Sequence, residues 1–124
     1  VGKKPTLDRY ASVDHLLVSS TDARRNWVDE ALAERGCTRR VTCTMPTYGG
    51  AALILETTDL VITCPGSVGR LFGNRLGMSV SSCPLETPKS MRSFHMVWHA
   101  RLGNHPAQKW LRDLLREVGR EIGK

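Results

Sequence analysis

RVTCTMPTYGGAALILETTDLVI, residues 40–62, is the stretch whose reading decides the fold. Val41, Cys43 and Met45 alternate with Thr42 and Thr44, the two-residue period of a strand. Pro46 breaks that run, and Thr47 can cap a helix from about Tyr48 to Glu56. Leu60, Val61 and Ile62 then form a second short apolar strand. Strands alternating with helices of about ten residues, joined by short connections, point to an α/β sheet with parallel crossovers.

The pattern continues on both sides. Upstream, Leu16, Leu17 and Val18 read as a buried strand, with Ser19, Ser20, Thr21 and Asp22 as N-cap candidates for the helix that follows. Trp27, Val28, Ala31 and Leu32 recur at helical spacing, and Gly36 is a natural stop. Leu7, Tyr10 and Ala11 can share one helical face in a short lead-in, Leu7 to Ser12. Downstream, Pro65, Gly66 and Ser67 make a turn, with Ser67 expected to cap a helix carrying Val68, Leu71, Phe72 and Leu76 that Gly77 closes. Met78, Val80 and Ser82 follow as a strand.

Pro84 to Lys89 is the clearest break in the chain. Beyond it, Ser93 to Ala100 has the best strand pattern, with Phe94, Met96 and Trp98 on one side and Ser93, His95, Val97 and His99 on the other. Gly103 and Asn104 form a turn, and Pro106 suits the first position of a last helix. Its apolar face holds Ala107, Trp110, Leu111, Leu114, Leu115, Val118 and Ile122.

Composition narrows the classes. A chain of 124 residues, 40% hydrophobic and 24% charged, can bury one modest core and is not disordered wholesale. No run nears the roughly 18 apolar residues of a membrane span, and no secretory signal follows the first residues. The chain opens on Val1 without an initiator Met and reads as a piece of something longer, in the cytoplasm. Cys37, Cys43, Cys64 and Cys83 lack the C-x-x-C spacing of a zinc or redox site and are expected as reduced thiols. Eighteen basic against twelve acidic residues give +6, which favours anionic partners. The basic residues come in short pairs without the aromatic interleaving that stacks bases.

No catalytic constellation stands out, so the chain is not expected to be an enzyme. His95 and His99 would be about 13 Å apart along a strand, too far for one metal. Gly66-Ser67-Val68-Gly69 departs from the nucleophile elbow, since Pro65 stands where the first Gly belongs. The acids Asp29, Glu30, Glu34, Asp113, Glu117 and Glu121 read as solvated helix faces. Neither a metal nor a cofactor is implied. What remains is binding anatomy: in open α/β sheets, ligands lie beyond the carboxyl ends of strands. Here those loops are Ser19 to Asn26, Pro46 to Gly49 and Cys64 to Gly69. They offer backbone N–H groups at the positive ends of helices, suited to a carboxylate.

Three segments together resemble the effector-binding domain of LysR-type transcriptional regulators. They are Trp27-Val28-Asp29-Glu30-Ala31-Leu32 with Arg39-Arg40-Val41, then Thr58-Asp59-Leu60-Val61-Ile62-Thr63-Cys64-Pro65, and Met96-Val97-Trp98-His99-Ala100-Arg101 with Pro106-Ala107 and Trp110-Leu111. The resemblance implies a periplasmic-binding-protein-like (type 2) α/β subdomain, a mostly parallel sheet flanked by helices. It implies a partial effector domain: lead-in 1–14, second subdomain 15–85, returning strand and C-terminal helix 90–124. The DNA-binding helix-turn-helix would lie outside this chain and supply any contact with DNA. Carried over by position, the effector-binding residues are Ser20, Thr21, Arg25, Pro46, Thr47 and Tyr48. The implied partner is a small anionic effector, aromatic or related acids fitting this branch best, with no membrane involved. A homo-oligomer is also expected, a dimer in which the last strand and helix could exchange between chains. Two other readings stay open: a small basic nucleic-acid-binding module, and a hydrolase using Ser67 or a Cys.

Overall fold

A computed structural model describes residues 3–21, 25–89 and 95–122. The chain divides into two compact units, Val1–Thr87 and Pro88–Lys124.

The first unit runs α1 (Leu7–Ser12), β1 (Asp14–Val18), α2 (Trp27–Ala33), β2 (Arg40–Met45), α3 (Tyr48–Leu55), β3 (Val61–Ile62) and α4 (Gly66–Leu76). The three strands form one parallel sheet in the order β2-β1-β3. The chain therefore steps from β1 to β2 on one side, then crosses back over β1 to β3. Right-handed crossovers place α2 and α3 on opposite faces when the direction reverses in this way. The central strand shows the consequence, with His15, Leu16 and Leu17 all buried. Edge strand β2 keeps the expected alternation, Val41, Cys43 and Met45 half-buried and Thr42 and Thr44 exposed. The parallel, helix-flanked sheet read from residues 40–62 is the observed one.

A core on one face gathers Tyr10 of α1, Val28 and Leu32 of α2, and Leu85, with Leu7, Ala11, Trp27, Ala31, Cys37 and Cys83 packed around it. The lead-in face of Leu7, Tyr10 and Ala11 is thus real. Helix stops follow the glycines: Gly36 and Gly77 take φ of +69° and +65°, which L side chains rarely adopt.

Three local expectations fail for physical reasons. The cap of α2 is Asn26, not Ser19, Ser20 or Thr21; Asp22 lies outside the described residues. Asn26 prevails because Asp29 completes a capping box with it. Ser67 caps nothing: Pro65 holds the N-cap position of α4 without a side-chain hydrogen bond, and Ser67 sits within the first turn. Met78, Val80 and Ser82 form no strand, only an isolated bridge at Ser81. Val80 instead lies over α4, where a Cβ on Gly73 would meet its Cγ2 at 3.0 Å.

The second unit holds a short 3-10 turn, Ala100–Leu102, and α5 (Pro106–Ile122). Of the strand expected from Ser93 to Ala100, residues 95–99 form no strand among the described residues, a 3-10 turn begins at Ala100, and Ser93 and Phe94 lie outside the described residues. Alternation shows what a strand would bury, but a strand also needs a ladder partner for its N–H and C=O groups. Arg112 ties this unit together. Its guanidinium lies 4.7 Å from the Trp98 ring and donates to the carbonyls of Leu102 and Gly103. The apolar face of α5 is open, with Trp110, Leu111, Leu114, Leu115 and Val118 exposed.

Candidate functional site

Parallel strands bring their carboxyl ends to one edge, and the register here pairs Val18 with Met45. Ser19 extends the ladder by one bond, its N–H donating to the Met45 carbonyl at 2.9 Å. Just beyond, an open cavity of about 560 Å³ is lined by Ser19, Ser20, Thr21, Val41, Thr42, Thr44, Met45 and Pro46. The lining residues comprise five that carry hydroxyls and three that are apolar. A lining with that mixture suits a small ligand that has an apolar body and a few hydrogen-bonding groups.

The first residues after β1, 19–21, are held in shape. Ser19 Oγ donates to the Thr21 carbonyl at 3.0 Å and accepts from the Thr21 N–H at 3.3 Å. At its far end the loop is anchored by a buried polar cluster on α2. Asn26 Oδ1 accepts from Val28 N–H at 2.9 Å, and Asp29 Oδ2 accepts from Asn26 N–H at 2.8 Å. Arg39, its side chain 1% exposed, reaches Asp29 with two bonds of 2.9 Å and Asn26 Oδ1 with one of 3.1 Å. Burial raises the Asp29 carboxyl, but the bonds from Arg39 and from its neighbouring backbone outweigh it and hold it below the ordinary aspartate value. Asp29 is therefore not a solvated surface acid, as its place in an acidic cluster suggested.

The cavity brings together three of the six expected site residues: Ser20, Thr21 and Pro46. Thr47 and Tyr48 come next along the chain but do not line it. Thr47 Oγ1 accepts from Gly50 N–H at 3.2 Å and so caps α3. Tyr48 is half-buried; burial first, and the nearby Cys64 thiol second, push its hydroxyl above the ordinary tyrosine value. Arg25 is exposed and is not among the lining residues. The Cys64–Gly69 corner lies at the carboxyl end of β3, on the same edge of the sheet, yet contributes nothing to the lining.

Sequence reasoning missed Val41, Thr42, Thr44 and Met45. The signal was present as the alternation in β2, but its use depends on β2 being an edge strand, which only the strand order reveals. Among the described residues no cluster of His, Cys, Asp or Glu could hold a metal, and no helix is long and apolar enough to cross a membrane. Cys37, Cys43, Cys64 and Cys83 are free thiols.

Residues 2–120 match the family described as the LysR substrate binding domain. The chain is 27% identical over 113 residues to the HTH-type transcriptional activator NagR of a Ralstonia species, covering 91% of this chain and 37% of that protein. It is 28% identical over 110 residues to the HTH-type transcriptional activator NahR of Pseudomonas putida, covering 89% of this chain and 36% of that protein. The chain thus spans little more than a third of the length of these relatives. Among solved structures it is similar to the regulatory domain of MexT, a transcriptional activator in Pseudomonas aeruginosa. There the identity is 32% and the TM-score 0.75, over 88% of this chain and 54% of that one.

Proposed function

The chain belongs to the LysR substrate binding domain family, and from there we propose that it senses a small effector in the cavity between the β1 and β2 corners. The effector is a small acid with an apolar body, taken up beside Ser20, Thr21, Pro46 and the β2 residues Val41, Thr44 and Met45. Thr47 and Tyr48 set the α3 side of the site, and Arg25 contributes from the outer part of the β1 loop. One observation carries this reading: the β1 and β2 corners border an open cavity with hydroxyl-bearing and apolar residues in its lining, at the strand ends where α/β proteins take ligands.

In the whole regulator, cytoplasmic on this reading, the effector shifts the balance between two states of the protein and so changes its contacts with DNA. Those contacts come from a helix-turn-helix domain, in keeping with the relatives' description as HTH-type activators. The same relatives support a sensor and not a catalyst. Residues 1–14 act as a lead-in, 15–85 as the second effector subdomain, and 90–124 as a returning segment. The open face of α5 supports association into a dimer, with exchange of that segment as one route. Light scattering should give the mass of two chains, and a uniform single-chain mass contradicts the dimer.

The site itself is tested in the intact regulator. Thr21→Val and Thr44→Val each remove one hydroxyl and keep the side-chain shape. Losing one hydrogen bond of about 0.5–1.5 kcal/mol should raise the inducer concentration for half-response roughly two- to tenfold. Operator affinity should stay the same. An unchanged half-response in both variants refutes the assignment.

A further inference from the structure

We propose that His15 is an acid-released latch that holds α1 on the sheet. The side chain rises from the central strand β1 and is fully buried. Its Nε2–H donates to the Tyr10 carbonyl of α1 at 2.8 Å, and its ring meets the Tyr10 ring edge-on with centroids 4.8 Å apart. A carbonyl can only accept, so Nε2 carries the proton in this bond. Nδ1 is buried with no hydrogen-bond partner among the described residues.

Tyr10 in turn closes the far side of the contact, its hydroxyl 2.5 Å from Thr63 Oγ1 just beyond β3. One imidazole and one phenol thus fasten a six-residue helix to two strands. A helix that short does not persist away from its packing partner.

A second proton would have nowhere to go. The titratable or charged groups facing His15 are Tyr10 from α1, Arg39 from the segment before β2, Asp29 from α2 and Asp14 from its own strand. Its ladder neighbours on either side are Val41 and Val61. Asp29 is already taken by Arg39 and Asn26, and Asp14 by Arg40. Protonating Nδ1 therefore buries a donor without an acceptor and a cation that faces the Arg39 guanidinium. Burial above all keeps the imidazole below the ordinary histidine value; the Tyr10 carbonyl opposes this, Arg39 adds to it, and the Asp29 and Asp14 carboxylates oppose it without reversing it.

The sign follows from proton linkage. The state with α1 released binds the proton better, so acid favours release. The hold on α1 is complete above the ordinary histidine value of about 6.5 and weakens as pH falls below it. This proposal is independent of what the cavity binds.

Hydrogen exchange of the α1 amides, including the Tyr10 N–H bonded to Thr6, tests it at pH 7.5 and 5.5 after correction for intrinsic rates. In the natural chain, α1 protection relative to α3 should fall by up to about tenfold, one proton's worth over that window. In His15→Leu the change should be less than twofold. Equal loss in both chains, or no loss in the natural one, overturns the latch. Should the variant not fold, the imidazole resonances of the natural chain decide. His15 should stay neutral wherever α1 remains protected. A His15 that takes up its proton near pH 6.5 with α1 protection intact also overturns it.

Discussion

Arg39→Met is expected to destabilise the protein by about 3–5 kcal/mol at neutral pH, the usual result of removing one partner from a buried ion pair. Here the Arg39 side chain is 1% exposed and the Asp29 side chain 15%. Arg39 supplies three of the bonds that close the cluster, two to Asp29 and one to Asn26. Without it the carboxylate keeps backbone N–H bonds alone and sits beside the core with no opposite charge. The methionine replaces the apolar stem, so lost packing contributes little. Urea unfolding of the variant measures the effect, and a loss under 1 kcal/mol would contradict the assignment. Asp29→Asn combined with Arg39→Met should cost much less than the two single changes summed, because each single change leaves the other group stranded.

Leu32→Ala should cost about 2–5 kcal/mol, the range for emptying a buried leucine site. Leu32 is 0% exposed and lies in one cluster with Tyr10, Val28 and Leu85, so the cavity left behind has α1, α2 and the segment after α4 as its walls. These elements are locked in place by Arg39, His15 and the Gly36 stop, and they have little room to close the gap. Leu53→Ala on α3 provides the contrast. Leu53 is 69% exposed, and its loss should stay within about 0.5 kcal/mol. Thermal or urea unfolding of the pair reads the difference; equal losses would mean that the core has been placed on the wrong helix.

That contrast shows where sequence reasoning ends. The run Ala51-Ala52-Leu53-Ile54-Leu55 is apolar throughout and has no period from which an outward leucine could be picked. Residues 40–62 did reveal the architecture, because strict alternation, a proline break, a threonine cap and a short apolar run each have a local physical cause. Gly36 and Gly77 were legible for the same reason. Asn26 was not: Ser19, Ser20, Thr21 and Asn26 all have cap chemistry, and the choice is made by Asp29 together with an arginine ten residues further on. The strand expected over residues 95–99 is not formed because a ladder is a relation between two segments, and alternation describes only one.

The site divides along the same line. Ser20, Thr21 and Pro46 could be placed because strand ends can be read in the chain and parallel sheets gather them. Thr42 and Thr44 could not, since an outward threonine lines a cavity only when its strand is at the edge. Arg25 was expected from its charge in the loop after the first strand and from the resemblance, and the structure leaves it exposed, outside the lining.

Backbone amide NMR of this chain, titrated with benzoate as a small aryl carboxylate, tests the cavity most directly. Saturable shifts should be confined to residues 19–21 and 41–48, and Thr21→Val should weaken them. Saturable shifts centred instead on α4 or α5, with those two corners unmoved, would place the ligand elsewhere and contradict the account.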